Sequence, residues 1–210
     1  MKKLVSFPLY GNSPRYLNGI IENAQLMPQI YPGWIMRVYC EDDYDADQLK
    51  TLGCEIVRMG KSNEHSGMLW RFIPAWESGV ERVIFRDADS RINPREAAAV
   101  SAWEQSGLNA HSMHDHEHHR SLPMLGGMSG VKGGVLQFPT SILRWFGYMN
   151  RRFEDPSLLP VHIYPQIQDS ILHHSSVELT GGRHYEPFPE HQPWDGFVGQ
   201  IIDDEGKSVW

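Results

Sequence analysis

Four short apolar runs, each separated from the next by a segment of helical period, constrain this chain more than anything else in it. They are "KKLVSF" (residues 2–7), "WIMRVY" (34–39), "CEIVRM" (54–59) and "RVIF" (82–85). Runs this short and this continuously apolar read as strands buried on both faces, as in a parallel sheet. Between the first two, Leu17, Ile20, Ile21, Ala24 and Met27 recur on one helical face. Ser13 stands where a cap belongs and Pro14 at the first helical position, and Pro28 should kink or end the helix. "DADQLKTLG" reads as a short helix stopped by Gly53, and "GMLWRFIPAWES" as a helix leading into the fourth strand. Strand and helix therefore alternate through the first half. That pattern predicts an α/β fold with an open, mostly parallel sheet and helices on both faces.

After the fourth strand, "NPREAAAVSAWEQSG" begins with Asn93 as cap, Pro94 first and Glu96 in the capping-box position. Beyond Asn109 the pattern loosens. Helices are expected around residues 141–153 and 166–174. With 210 residues, one domain is expected over 1–210. Residues 1–90 and 91–210 are expected as its two halves. Cys40 and Cys54 lack any CxxC spacing and read as buried reduced thiols. A net charge of -7 with no basic run argues against a nucleic-acid partner. No run approaches the length of a membrane span, and a cytoplasmic location is expected.

The chemistry gathers at "ERVIFRDADSR". The most apolar strand runs directly into Asp87 and Asp89. In open α/β sheets ligands bind beyond the carboxyl ends of the strands. Two carboxylates one residue apart at that rim suit Mg²⁺ or Mn²⁺, which favour carboxylate, water and substrate phosphate. A bound ion would stabilise a diphosphate leaving group.

Strand-then-"DAD", preceded by "GMLWRFIPA", resembles the DxD-type nucleotide-sugar glycosyltransferases of the GT-A fold, in a glycogenin-like and galactosyltransferase-like layout. Nearly the whole chain also resembles a group of small bacterial and phage proteins sharing "YGNSPRY", "RDADSR", "DH" and a late "FVG". The first resemblance implies a GT-A-like fold, with residues 1–90 as the nucleotide-binding half and 91–210 as the acceptor and sugar-binding half, and a hexosyltransferase with Mn²⁺ or Mg²⁺ as cofactor. Its substrates would be a nucleotide-sugar donor, a UDP-sugar foremost, and a saccharide or other hydroxyl acceptor. It implies Asp89 as a direct metal ligand and Asp87 as a ligand lying nearer the ribose. Arg71 would lie near the nucleotide or donor sugar. The segment from Ser6 to Arg15 would contact base and ribose, with Tyr10 stacking and Arg15 meeting a phosphate. Asp169, in "PQIQDSILHH", matches an acidic residue of the sugar site. The related retaining enzymes end in H-x-x-G-x-x-K-P-W, a string this chain lacks. "GGRHYEPFPEHQPW" offers His184 as third ligand, with His191 as another candidate.

"HSMHDHEHH" holds five of the eleven histidines. A metal site through His114 and His116 competes there with a polar loop. Asp115 and His116, the "DH" pair, are candidates for proton removal from an acceptor hydroxyl. The glycines of "LGGMSGVKGG" allow close backbone approach or simple turns. Trp194 is a candidate sugar platform. Two other readings compete: a non-catalytic module that binds a nucleotide sugar or glycan, and a haloacid-dehalogenase-type phosphatase. The phosphatase normally carries D-x-D on its first strand.

Overall fold

The structure, a computed structural model, describes residues 1–62, 66–137, 158–191 and 196–209. Seven strands form one sheet: β1 (Lys2–Leu9), β2 (Ile35–Cys40), β3 (Glu55–Arg58), β4 (Val80–Arg86), β5 (Ala110–His114), β6 (Met128–Lys132) and β7 (Ile171–Ser175). Their order is β3-β2-β1-β4-β6-β5-β7. Only β6 runs antiparallel to its neighbours. The four strands expected in the first half are all present. Strands β1 and β4 carry the fully buried Leu4, Val5, Phe7, Val83 and Ile84 that made those runs apolar.

Two cores sandwich the sheet. On one face, α1 (Pro14–Ile30) and α3 (Pro94–Ser106) pack Ile20, Ala24, Val100 and Trp103 onto Val5, Phe7 and Ile84. On the other, a 3₁₀ helix (Ser66–Trp76) packs Leu69, Phe72 and Ala75 onto Leu4, Val83 and Phe85. The rings of Phe72 and Phe85 meet edge to face, 4.8 Å apart. Asn93 caps α3 as expected: its side chain accepts from the Glu96 N–H at 3.0 Å. Gly107 ends the helix at φ 75°. Both cysteines are buried and free.

Four local expectations need correcting. Ser13 makes no side-chain cap bond, and α1 continues through Pro28 to Ile30. Pro28 falls in the last turn, so the helix ends within three residues of it. The "GMLWRFIPAWES" segment is a 3₁₀ rather than an α-helix. The helix expected over 166–174 is a short turn of helix, Tyr164–Ile167, followed by strand β7. The first histidines of the 111–119 run form β5 rather than a loop, all five of whose residues are buried. The helix expected at 141–153 and the Trp194 platform lie outside the described residues. Among the described residues, no helix is long and apolar enough to cross a membrane.

Candidate active site

Chain reversal puts the site where it is. β1 leads to β2 on one side, while the chain returns to β4 on the other. The rim above β1 and β4 is therefore a switch point, where open α/β sheets bind ligands. A pocket with room for about 150 Å³ opens there, lined by Pro8, Tyr10, Tyr16, Met68, Arg71, Asp87, Ala88 and Asp89.

Both carboxylates turn into this pocket from a tight turn just past β4. The Ser90 N–H and Oγ both donate to the Asp87 carbonyl, at 3.4 and 3.1 Å. Asp87 Oδ1 accepts from the buried Arg71 guanidinium. Phe72 and Leu69 hold that arginine in place by anchoring the 3₁₀ helix. A Cβ at position 127 would lie 1.7 Å from Asp87 Oδ2, so Gly127 is required for the carboxylate to sit this close to the backbone.

Asp89 is the more buried of the two, 9% exposed, and its Oδ2 lies 3.4 Å from Arg15 Nη2. Burial, and then the neighbouring Asp87 charge, push the Asp89 carboxyl up to about 6. Arg15 also donates to the Tyr16 hydroxyl at 2.7 Å. Tyr10 stacks near Tyr16, with ring centroids 6.4 Å apart and planes 18° from parallel, and meets Trp70 edge-on.

A divalent ion suits this donor set. Both carboxylates face one pocket, and burial with the Asp87 charge raises the Asp89 carboxyl, an effect that a bound Mg²⁺ or Mn²⁺ would offset. Such ions commonly take only one or two protein carboxylates and complete their shell with water and phosphate. Among the described residues, no three His, Cys, Asp or Glu side chains are placed to share an ion. The set of Asp87, Asp89 and His184 is thus not assembled. His184 is exposed and lies within electrostatic reach of His173 on β7, three strands away from β4.

Tyr10, Arg15, Arg71, Asp87 and Asp89 are brought together. Ser6 is not: it is fully buried in the middle of β1, below the rim. The acid–base candidates also fall elsewhere. Asp115 accepts from Arg95 Nε and Nη2 at 3.0 and 2.9 Å, and from the Val198 N–H at 3.0 Å. With both oxygens engaged and its side chain fully buried, it fastens α3 and the "FVG" segment to the end of β5. It is not open to a substrate. His116 is half-buried, stacked on Phe197 with centroids 4.4 Å apart. Asp169 is exposed just before β7, at the amino end of a strand parallel to β4, so it occupies the opposite rim from Asp87. His114 and His116 do not form a shared site: His114 is the buried last residue of β5 and pairs with His173 on β7, whereas His116 caps the next turn.

Sequence reasoning missed Tyr16, Met68 and Glu41. Glu41, just past β2, accepts from the Gly11 and Ser62 N–H groups at 3.2 and 2.8 Å and ties two pocket-side loops together. Its position after the second strand, mirroring Asp87 after the fourth, was the available signal.

No protein-family model matches the sequence, and neither does any curated protein. Solved structures do resemble the fold. A glycosyltransferase involved in glycosylation of the major capsid of PBCV-1 is 14% identical with TM-score 0.51, over 83% of this chain and 82% of that one. Glucosyl-3-phosphoglycerate synthase from Mycobacterium tuberculosis, in complex with Mn²⁺, UDP and glucosyl-3-phosphoglycerate, is 12% identical with TM-score 0.51, over 83% and 69%. Mannosyl-3-phosphoglycerate synthase from Rubrobacter xylanophilus is 11% identical with TM-score 0.51, over 88% and 68%. The chain has the GT-A fold of the nucleotide-diphospho-sugar transferases. Asp87 and Asp89 follow the fourth strand, β4, whereas the haloacid-dehalogenase type carries its D-x-D on the first.

Proposed function

We propose that the chain is a metal-dependent glycosyltransferase that moves a sugar from a nucleotide diphosphate, a UDP-sugar foremost, to a hydroxyl acceptor. The observation that carries this reading is the carboxylate pair at the end of β4, facing a pocket at the switch point of a GT-A sheet. In the reaction the bond from the sugar's anomeric carbon to the diphosphate oxygen breaks, and the diphosphate leaves with the electron pair. A new bond forms from that carbon to the acceptor oxygen, whose proton goes to a base. Asp87 and Asp89 would hold the divalent ion, which supplies positive charge to the departing diphosphate. Arg71 lines the same pocket and Arg15 reaches Asp89 at its edge, and both would offset further charge on the phosphates. Tyr10 lines the pocket and would stack on the base. Mn²⁺ and UDP in the Mycobacterium tuberculosis neighbour support the choice of ion and donor.

A binding module without catalysis is the second reading. It is favoured by one observation: each carboxylate already has an arginine partner, and neither Asp115 nor Asp169 stands at the pocket to act as base. Thermal-shift and calorimetric titration with UDP, GDP and their sugars, with and without Mn²⁺, test both. The transferase reading expects Mn²⁺-dependent stabilisation by a nucleotide sugar, lost in Asp89→Ala, with slow release of free nucleotide over hours. Binding with no release or transfer under any acceptor selects the module. If no nucleotide binds, or Asp89→Ala binds Mn²⁺ and nucleotide like wild type, the site assignment fails.

A further inference from the structure

We infer that Asn23, in the middle of α1, is the positioning residue of the carboxylate loop, and that the Gly19–Asn23 face of α1 is its seat. The inference rests on the proposed metal and nucleotide reading of Asp87 and Asp89.

Asn23 is fully buried, although an amide on an apolar helix face is costly unless both its ends are bonded. Both are. Its Nδ2 donates to the Ser90 carbonyl at 2.8 Å, and its Oδ1 accepts from the Ile92 N–H at 2.9 Å. One side chain therefore bridges the two backbone groups directly after Asp89. These are loop groups with no sheet partner, and a short polar side chain of this length is what spans them.

One helical turn earlier, Gly19 completes the seat. A Cβ there would lie 1.9 Å from the Ala88 carbonyl oxygen and 2.6 Å from Arg91 Nη1. Helix backbone and loop backbone thus touch at the residue between the two aspartates. Residues four apart lie one above the other on a helix face, so Gly19 meets Ala88 while Asn23 holds Ser90 and Ile92. From another side the Ile202 N–H donates to the Asp89 carbonyl at 2.8 Å. Every residue from Ala88 to Ser90 is held by its backbone, which leaves the two carboxylates with little freedom except at their own side-chain torsions. Loss of a partner that orients a ligand residue typically costs ten- to a hundredfold in metal affinity, although the partner touches no metal itself.

The test compares Asn23→Ala with Ile20→Ala. Ile20 is also fully buried on α1 and shares an apolar cluster with Ala88 and Ile92, but its side chain makes no hydrogen bond to the loop, so its loss costs stability while both Asn23 bonds stay in place. Mn²⁺ affinity is measured by calorimetry in the presence of UDP, alongside the melting temperature of the free protein. Asn23→Ala is expected to weaken Mn²⁺ binding about tenfold or more, with Ile20→Ala within about twofold of wild type at an equal or larger melting loss. Equal affinities for the two variants, or an unchanged affinity in Asn23→Ala, overturn the inference. Should the wild type bind no Mn²⁺ with UDP, the functional reading is what fails, and hydrogen exchange still decides the seat. Residues 87–92 should exchange faster in Asn23→Ala than in Ile20→Ala, and equal rates there would sink it.

Discussion

Two regions of the same sheet bury ionisable side chains in opposite ways. At the β4 rim, Arg71 and Arg15 stand against Asp87 and Asp89, and a pocket opens in front. At the β5–β7 seam, four histidines have no counter-charge among the described residues. His111 Nε2 meets His174 Nδ1 at 2.8 Å on one face, and His114 Nε2 meets His173 Nδ1 at 3.3 Å on the other. Burial drives His114, His119 and His174 down to about 4, His173 to about 3, and His111 well below its usual value. In the sequence both regions looked like metal sites. What separates them is whether a cation and an opening accompany the group. A neutral imidazole can be sealed in a sheet by a partner imidazole, whereas a carboxylate pair has to keep access to a cation.

The largest effect should come from forcing charge into the seam. The folded histidines titrate below their unfolded value of about 6.5. Between that value and about 4 the unfolded chain binds more protons, so stability is lost as the pH falls through this window. Asp89 works the other way: its raised carboxyl adds stability at low pH that is lost as the pH rises through about 6. It is one group against five. Near-ultraviolet circular dichroism should therefore show cooperative acid unfolding between about pH 6 and 4. His111→Leu with His174→Leu, which removes both partners together, should move that transition to lower pH. An unmoved transition would mean that the seam does not set acid stability.

Next in size is the ion pair at the upper end of the seam, where a charge is sealed in and yet tolerated. Asp115→Ala strands Arg95 and the Val198 N–H. Breaking a buried pair costs about 3–5 kcal/mol, or a fall in melting temperature of roughly 10 °C for a chain of this size. A loss under about 2 °C in scanning calorimetry would show the pair to be solvated. The smallest effect sharpens the carboxylate side. With Asp89 near 6, a proton competes with the ion, so Mn²⁺ affinity in the presence of UDP should fall about tenfold for each pH unit below 6 and level off above 7. An affinity flat from pH 5 to 8 would remove Asp89 from the ligand set.

How far the sequence could be read follows the same division. The apolar strands and the Asn93 cap were legible because each is a local signal, an unbroken apolar run or a side chain bonding its own backbone three residues on. The carboxylate pair was legible because it directly follows such a strand. "HSMH" and "LHH" were not legible as strands, because what makes them fit an interior is each other. Residues 111 and 174 bond each other across 63 residues of chain, each ring using one of its two nitrogens. Asp115 looked reactive because its neutralising partner, Arg95, lies on a different element. Asp169 was misplaced because reading "SILHH" as helix rather than strand hides which rim the preceding residue occupies.

The Ile202 contact has a consequence for assembly. Asp89 comes early in the chain, yet its carbonyl accepts from an amide 113 residues further on, that of Ile202. The sheet's first four strands can pair from the early half alone. The corner they present is finished only when the late segment docks, after a long loop has closed, the kind of contact that forms slowly. A nascent chain would thus carry the scaffold of its ligand corner well before it carried the corner itself.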